Sequence, residues 1–452
     1  MAIVDELASF AVSAEFDQLS EVARAQARMR VIDALGCAIG ALDADVMRIL
    51  RTQTEDFGGN PRCTLIGGGR TAPDRAALYN SALVRFLDFN DSYLAKGETC
   101  HPSDNLGAVL SACEYAGTTG KEFLTALAVA YQVQCRLSDV APVRAKGFDH
   151  TTQGAYAVAA GVAKALHLDR AKTANAIAIA GTAFNALRVT RTGALSNWKG
   201  LAYPNTAFGA THAAFLAMRG ITGPAEVFEG NKGFMDAISG PFSIDWAKED
   251  LEKITQTVVK RYNAEIHSQS TIEAALELKH EQGIIASEIR SIEIETFDVA
   301  YNIIGGGEEG EKYTVQTKEE ADHSIPYIVA VAMLDDQVLP AQYIPDRILQ
   351  PDVQSLLRKV KVYPLAEFSQ RFPAEMPCRV TVTLQDGRIL SEEKRDYEGF
   401  HTRPMQWETA VMKFEQLTKS TIPDTLQHDI EAAVQELENI NICDLIALLE
   451  KV

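Results

Sequence analysis

The segment KRYNAEIHSQ, from Lys260 to Gln269, places two cations, a carboxylate, an imidazole and an amide directly before an apolar helical stretch. An enzyme that handles a small polycarboxylate needs cations to bind the substrate and acid or base groups to move its protons. The segment therefore predicts a loop that directs Lys260, Glu265 and His267 towards such a substrate. His267 has a second interpretation, in which it only fixes the loop.

Two histidines stand immediately before helical stretches, where a side chain is readily presented to a ligand. His101 is followed by Pro102, which fixes the backbone, and His150 follows the bend expected at Gly147. Histidine titrates close to neutral pH and can act as a general acid or base. Either residue taken singly is more often a satisfied structural histidine. Together they are candidate catalytic residues, with the roles of acid and base left open.

A polar loop, LDFNDSYLAKGETCHPS at residues 87–103, interrupts two apolar helices and contains Asp88 and Ser92. The functional interpretation is a loop that lines a site. The structural interpretation, at least as good for any single acid, is a solvated turn in which an aspartate caps a helix.

A second polar loop, at residues 188–200, is rich in Gly, Ser and Thr and carries cations that include Arg188 and Lys199. Such a loop suits the binding of anionic groups. It is equally well explained as a basic surface connector between two helices.

His323 and Tyr327 are four residues apart at the start of the apolar stretch DHSIPYIVAVAM. Residues with this spacing share one face of a helix. The two side chains are therefore predicted to point the same way at the mouth of a buried helix, with core packing of Tyr327 as the alternative.

The 452-residue chain is acidic, with 43 Lys and Arg, 61 Asp and Glu, and a formal net charge of −18. Nucleic acids and anionic membranes attract positive surfaces, so this charge argues against both as partners. An anionic substrate would depend on a local cluster of cations. The sequence has no apolar stretch long enough to span a bilayer and does not start like a signal peptide, so the cytoplasm is the expected location.

The sequence gives no indication of a metal or cofactor site. Its seven cysteines are scattered, without a CxxC pair, and are expected to be reduced and mostly buried. Neither close ligand spacing nor a helical HxxxH, the usual signs of zinc, occurs. We therefore expect neither a metal ion nor an organic cofactor.

The periodicity of apolar residues changes along the chain. Up to about residue 260 it is helical, and Ala and Gly on nearly every face favour closely packed helices. Residues 288–297, residues 359–365 and two runs around Asp386-Gly387 alternate as strands do. The predicted fold is mainly α, with a helical domain of residues 1–262 and 398–452 and an inserted α+β lid domain of residues 263–397.

The motifs LDFNDSY…HPS, GFDHTTQ, SNWKG, KRYNAEIHSQ and DHSIPY occur in this order over nearly the whole chain. As an ordered set they resemble the MmgE/PrpD family, which includes 2-methylcitrate dehydratase, cis-aconitate decarboxylase and iminodisuccinate epimerase. The resemblance implies a helical domain built from both chain ends, a smaller α+β lid, a homodimer and no metal requirement. It also implies a substrate pocket, which in this chain would comprise Asp88, Ser92, His101, His150, Lys199, Lys260 and Tyr327.

The chemistries of this family begin at a carbon beside a carboxylate and develop negative charge there, which cations must stabilise. We hypothesise that Lys199, Lys260 and Arg188 bind substrate carboxylates. In the same hypothesis Tyr327 donates a proton to a leaving hydroxyl, and Asp88 orients a histidine.

Glu265 is the residue that favours one reaction over the others. Decarboxylase-like members carry a histidine in this loop, whereas Glu265 is similar to the dehydratase pattern PAEFHSQ. We therefore expect a metal-independent lyase for a small di- or tricarboxylate, first a 2-methylcitrate or citrate dehydratase, with decarboxylase and epimerase as alternatives. A catalytically silent dimeric scaffold is the alternative of another class. Because the 260–269 segment lies at the predicted crossing into the lid, lid movement is expected to carry it onto the substrate.

Overall fold

Helices make up most of the secondary structure in the computed structural model, which describes residues 2–193 and 195–452. The predicted mainly α fold is confirmed. In chain order the helices are α1 Ile3–Ser13, α2 Glu21–Gly40, α3 Asp45–Phe57, α4 Pro73–Phe86, α5 Leu106–Ala116, α6 Gly120–Val140, α7 Thr151–Ala165, α8 Arg170–Ala183, α9 Trp198–Met218, α10 Gln269–Gln282, α11 Asp298–Ala300, α12 Lys318–Ala321, α13 Ile325–Asp335, α14 Pro345–Ile348, α15 Pro351–Leu357, α16 Ala366–Arg371, α17 Trp407–Thr418, α18 Asp424–Gln435 and α19 Ile442–Leu449.

The strands are short in the first half of the chain and longer in the second. They are β1 Cys63–Thr64, β2 Arg70–Thr71, β3 Tyr93–Ala95, β4 Glu98–Cys100, β5 Ile289–Thr296, β6 Val360–Pro364, β7 Cys378–Leu384 and β8 Ile389–Lys394. β1 with β2, and β3 with β4, form isolated antiparallel pairs, whereas β5 to β8 form one sheet.

The chain divides into two compact units. Unit 1 contains the residues up to Thr190, Gly200–Val258 and Gln406–Val452, and unit 2 contains Arg191–Lys199 and Val259–Met405. The domain boundaries predicted from the sequence stay a prediction. The two units differ from the predicted domains at the Arg191–Lys199 segment, which belongs to unit 2. Lys199 is therefore a residue of unit 2.

Glycine sets the spacing between helices in unit 1. A Cβ atom on Gly107 of α5 would lie 2.3 Å from the backbone nitrogen of Ser81 in α4. A Cβ atom on Gly154 of α7 would lie 2.4 Å from the ring of Tyr203 in α9. Carbon atoms do not approach that closely without displacing a neighbour, so these helices pack as they do only because no side chain intervenes.

A buried ion pair holds α17 against the polar loop that contains Asp88 and Ser92. Lys413 Nζ lies 2.6 Å from Asp33 Oδ1 of α2, donates to the carbonyl oxygen of Phe89 at 2.8 Å, and lies 3.7 Å from the centre of the Phe89 ring. Both charged side chains are buried, so each depends on the other for compensation.

Replacing Lys413 with methionine should lower the free energy of unfolding by about 3–5 kcal/mol, because the Asp33 carboxylate stays buried without its cation. Urea unfolding at neutral pH measures the loss. Lys419→Met, at an exposed lysine just after the same helix, is the control and should stay within about 0.5 kcal/mol of wild type. A loss as small for Lys413→Met as for the control would show that the pair contributes little.

Unit 2 is built on a mixed four-stranded sheet in the order β6-β5-β7-β8. β5 pairs in parallel with β6 and antiparallel with β7, and β7 pairs antiparallel with β8. The two runs around Asp386-Gly387 that were predicted as strands are β7 and β8, and a hairpin turn in which Gly387 has a φ of 91° joins them. α10 packs on β7 and β8 and also contacts α13, so both helices share the core of this unit.

α13 is apolar on all sides because it runs through the middle of that core. It begins at Ile325, after an N-cap at Ser324 whose Oγ accepts the Tyr327 backbone N–H at 3.1 Å. The shared helical face predicted for His323 and Tyr327 is therefore wrong, because His323 precedes the cap and the four-residue spacing of a helix does not apply to it.

A proline interrupts one helical stretch of unit 2. The stretch RILQPDVQSLLRKV contains the end of α14 and all of α15, separated by an extended Gln350. The break follows from Pro351, which disfavours helical geometry in the residue before it and is itself well placed in a first helical turn.

Candidate active site

The two candidate histidines lie side by side in unit 1. Their ring centres are 5.5 Å apart and the rings meet edge to face at 72°. His101 follows β4 and precedes the turn of Pro102–Asn105, whereas His150 is the N-cap residue of α7. Two separate polar turns thus place the two imidazoles next to each other. Both rings are almost fully buried.

The hydrogen bonds of His101 determine which of its nitrogens carries a hydrogen. Nδ1 lies 2.8 Å from the carbonyl oxygen of Asp91, which can only accept, so Nδ1 carries the hydrogen and donates it. Ser92 Oγ lies 3.1 Å from the same nitrogen. In the neutral ring Nε2 then bears the lone pair, which is the form required of a general base.

The Asp91 carbonyl is held in place by its own side chain. The carboxylate accepts the Tyr131 hydroxyl at 2.8 Å and the Ser103 backbone N–H at 3.0 Å. Burial raises the pKa of Asp91, although Arg30, Ser103 and Tyr131 act in the opposite direction. The carboxyl group is therefore a fixed structural element that orients His101 through the backbone.

His150 has a different partner, the carboxylate of the residue before it. His150 Nδ1 lies 3.2 Å from Asp149 Oδ1, and Arg188 Nη1 lies 4.0 Å from Asp149 Oδ2. Arg188, which was predicted to bind substrate, therefore lies next to the carboxylate that contacts His150. A carboxylate beside an imidazole stabilises its protonated form, which is the form required of a general acid.

Asp88 and Ser92 lie in the same buried region of unit 1. Asp88 has a φ of 53°, which is uncommon for a residue other than glycine, and its Oδ1 accepts from Arg85 Nη1 at 2.6 Å. Ser92 pairs through its backbone with Val258, and its hydroxyl contacts His101. Asp88 thus pairs with an arginine, and Ser92 contacts a candidate histidine.

In unit 2, Lys199 is at the centre of a group that we call the lysine cluster, formed by the buried Lys199 and Asp322 and the partly buried Lys318 and His323. Lys199 Nζ donates to Asp322 Oδ1 at 3.0 Å and lies 3.1 Å from His323 Nδ1. Lys318 Nζ donates to Asp322 Oδ2 at 2.8 Å, and His323 Nδ1 lies 2.6 Å from Asp322 Oδ1. One carboxylate is thus surrounded by three basic groups.

The electrostatics of this cluster favour anions. Burial on its own would raise the pKa of Asp322, but Lys199, Lys318 and His323 together hold it well below its usual range. The carboxylate is therefore ionised and still outnumbered by basic groups.

The 260–269 loop is fixed by its own side chains. Gln269 Oε1 accepts the backbone N–H groups of Arg261 and Tyr262, both at 2.9 Å, and its amide donates to the carbonyl oxygens of Tyr262 and Ala264. α10 begins at Gln269, as the sequence pattern predicts. The loop is therefore a rigid platform rather than a flexible connection.

Glu265 and His267 form a buried dyad in this loop. One oxygen of Glu265 lies 2.7 Å from His267 Nδ1, and the other accepts the His267 backbone N–H at 2.7 Å. The imidazole also contacts the stacked rings of Phe297 and Phe372. These contacts fit the interpretation in which His267 fixes the loop, and its role in substrate binding stays a prediction.

The same loop carries Lys260, which is fully buried. Burial would raise the pKa of Glu265, but His267, His323 and Lys260 outweigh it and hold that pKa at about 2. Glu265 is therefore ionised at neutral pH. Its carboxylate is stabilised by Lys260 and by His323 of the lysine cluster.

This low pKa predicts how stability depends on pH. A carboxyl group whose pKa is about 2 when folded and about 4.3 when unfolded stabilises the folded state above pH 4.3, and that stabilisation is lost as the pH falls towards 2. Its contribution is on the order of 3 kcal/mol. Urea unfolding of wild type and Glu265→Gln from pH 6 to pH 2 should give curves that converge at the acid end, and parallel curves would contradict the prediction.

The contacts of Tyr327 are with core residues of unit 2. It is fully buried in the core of unit 2, its ring is 6.0 Å from that of Tyr343, and its hydroxyl donates to the carbonyl oxygen of Gln342. These are the contacts of the core residue that the alternative interpretation described, and the role of Tyr327 as proton donor stays a prediction.

Asp149 and Asp322 were not among the residues selected from the sequence. Each had a local signal, because Asp149 precedes a candidate histidine and Asp322 begins the motif DHSIPY. The sequence gives no sign that Lys199 and Asp322 are in contact, because they are 123 positions apart along the chain. Such a contact comes from the tertiary fold alone.

Comparison with known proteins agrees with this description. The model of the MmgE/PrpD N-terminal domain matches residues 5–247, and that of the MmgE/PrpD C-terminal domain matches residues 262–439. The chain is 26% identical to the mitochondrial 2-methylcitrate dehydratase of Yarrowia lipolytica over 99% of its own length and 90% of that protein. It is 29% identical to the 2-methylcitrate dehydratase of Cupriavidus necator, over 83% of its own length and 81% of that protein.

A relative with a different activity is also found. The cis-aconitate decarboxylase of Mus musculus is 24% identical over 94% of this chain and 88% of that protein. Dehydratases and this decarboxylase are lyases, the class predicted from the sequence. No helix in the described ranges is long and apolar enough to cross a membrane.

Since the two domain models together account for most of the sequence, the resemblance indicated by the ordered motifs is confirmed, and the chain belongs to the MmgE/PrpD family.

Proposed function

We propose that this protein is a hydro-lyase that removes water from a small hydroxytricarboxylate of the 2-methylcitrate or citrate type. The observation that carries the proposal is the different environment of the two adjacent histidines. His101 donates through Nδ1 to a backbone carbonyl, whereas His150 lies beside the carboxylate of Asp149. One imidazole is thus suited to accept a proton and the other to donate one.

In the proposed reaction His101 removes a proton from a carbon adjacent to a substrate carboxylate. The electron pair of that C–H bond forms the new carbon–carbon double bond as the C–O bond of the neighbouring hydroxyl group breaks. His150 gives its proton to the departing hydroxyl group, which leaves as water. Asp149 and Arg188 keep His150 in position, and Ser92 and the Asp91 carbonyl do the same for His101.

The lysine cluster supports the binding of substrate carboxylates. Negative charge increases on the carboxylate next to the deprotonated carbon, and a preorganised ammonium group in a buried site stabilises it more than water does. We assign this role to Lys199, with Lys260 as a second cation and the ionised Glu265 as the group that limits how many anionic groups can bind. Lysines would supply the positive charge, so the reaction is proposed to need no metal ion.

Three further expectations belong to the proposal. The protein is proposed to act as a homodimer on a small anionic substrate, as the family resemblance implies, and to be located in the cytoplasm. Light scattering coupled to size-exclusion chromatography tests the dimer, and a measured mass of about 49 kDa, that of one chain, would contradict it.

The activity is tested by incubating the protein with 2-methylcitrate, citrate, cis-aconitate or iminodisuccinate in buffer that contains EDTA, and by following the products by proton NMR. Dehydration of a hydroxytricarboxylate is expected. Release of CO2 from cis-aconitate without any dehydration would replace the proposal by a decarboxylase, and epimerisation of iminodisuccinate would replace it by an epimerase. Absence of deuterium incorporation from D2O into every acid would favour the silent scaffold.

A further inference from the structure

Lys312 is a partly buried lysine of unit 2 that the proposed reaction does not use. It follows a glycine-rich loop in which Gly306 and Gly310 have φ values of 105° and 96°. The loop is ordered by its own hydrogen bonds, from Gly307 N to the Tyr301 carbonyl oxygen at 3.0 Å and from Glu309 N to the Asn302 carbonyl oxygen at 2.9 Å. These hydrogen bonds hold the backbone of the loop that precedes Lys312.

The position of Lys312 is tied to the lysine cluster. Ser324 Oγ, next in sequence to His323, donates to the Lys312 carbonyl oxygen at 2.6 Å. Lys199 and Glu265 are among the charged groups that act on the Lys312 ammonium group. Lys312 therefore belongs to the same electrostatic neighbourhood as the candidate carboxylate-binding lysines.

The ammonium group of Lys312 has no ion-pair partner among the residues that the structure describes. Its sequence neighbour Glu311 is engaged elsewhere, because its carboxylate accepts the backbone N–H groups of Tyr313 at 2.6 Å and Thr314 at 3.1 Å. Lys199 and Lys318, by contrast, both pair with Asp322.

Removing an ammonium group from water without a counter-ion is unfavourable. Burial lowers the pKa of Lys312, and nearby Lys199 adds to that effect, while Glu309, Glu265 and Glu311 oppose it. A bound anion would supply the missing partner. Since Lys199 and Lys260 are already proposed to bind substrate carboxylates, the anion that fits is a further carboxylate of the same molecule.

We propose that Lys312 binds a third carboxylate of the substrate and thereby makes the site selective for tricarboxylates over dicarboxylates. The inference rests on the proposed function for the identity of the ligand, but its test depends on binding alone. Tricarballylate and glutarate share one carbon backbone and differ by a single carboxylate. Neither has a hydroxyl group to lose, so both can be titrated without turnover.

Isothermal titration calorimetry with both acids measures the contribution of the extra carboxylate. Wild type should bind tricarballylate roughly 10- to 100-fold more tightly than glutarate, the range expected for one charge-assisted hydrogen bond. Lys312→Met should abolish most of this preference by weakening tricarballylate binding alone, and Lys312→Arg should retain part of it. Lys361→Met removes the same charge from an exposed position on β6 and should keep the wild-type preference.

The proposal is overturned if Lys312→Met retains the wild-type preference, or if wild type shows no preference at all. Lys312→Gln provides a second neutral variant should the methionine variant fail to fold. Failure of the proposed function would be distinguished from this outcome. In that case wild type would still prefer tricarballylate through Lys312, but it would dehydrate no hydroxytricarboxylate.

Discussion

Replacing His101 with asparagine should lower kcat by about 10²- to 10⁴-fold, the usual contribution of a general base, while leaving the protein folded. The amide nitrogen of asparagine can take the place of Nδ1 and donate to the Asp91 carbonyl, a hydrogen bond that is 2.8 Å long in wild type. The variant therefore keeps the structural hydrogen bond and loses Nε2, the nitrogen proposed to remove the substrate proton. Initial-rate measurements with the substrate found by NMR provide the test.

His212 offers a matched control for this substitution. It lies 3.1 Å from a carboxylate oxygen of Asp74 but is exposed on α9, so His212→Asn should leave kcat unchanged. Turnover of His101→Asn close to that of the control would remove His101 from the mechanism. A reduced thermal unfolding midpoint, with kcat preserved, would assign it a structural role instead.

Replacing Lys199 with methionine should lower kcat/KM by about 10²- to 10³-fold, which is the usual effect of removing one preorganised donor from developing negative charge. Methionine retains much of the apolar stem and removes the ammonium group. Steady-state kinetics and calorimetric titration with tricarballylate together separate a loss of binding from a loss in the chemical step.

The control for Lys199 is Lys318→Met. Both lysines donate to Asp322, at 3.0 Å and 2.8 Å respectively, so either substitution removes one cation from that carboxylate. The loss of activity should be at least about tenfold greater for Lys199→Met, because this lysine is the one proposed to contact substrate. Equal losses would mean that Lys199 acts only by compensating the charge of Asp322.

Local features of the fold were predictable from the sequence because their causes are local. The hairpin at Asp386-Gly387 depends on a dipeptide that accepts a positive φ, and the start of α10 follows a segment whose glutamine bonds back to its own loop. His101 and His150 were selected because each stands at the beginning of a helical stretch. These signals lie within a few residues of the feature that they predict.

Predictions failed where a pattern was extended across a helix boundary. His323 and Tyr327 were placed on one face by their spacing, but α13 begins between them at Ile325. The rule that residues four apart are neighbours holds only where the backbone is helical at both. The hydroxyl of Tyr327 consequently donates to a carbonyl in the core rather than to a group of the lysine cluster.

Residue types, helix and strand periodicity and the order of the motifs were sufficient to identify the family and the mainly α fold, and to select candidate acid, base and cationic residues. The partner of each of those residues came from the folded chain: the Asp91 carbonyl for His101, Asp149 for His150, and Asp322 for Lys199. The physical reason is that periodicity and capping act between near neighbours in sequence. Ionisation and hydrogen bonding instead depend on burial and on distances through space, which exist only once distant segments have packed together.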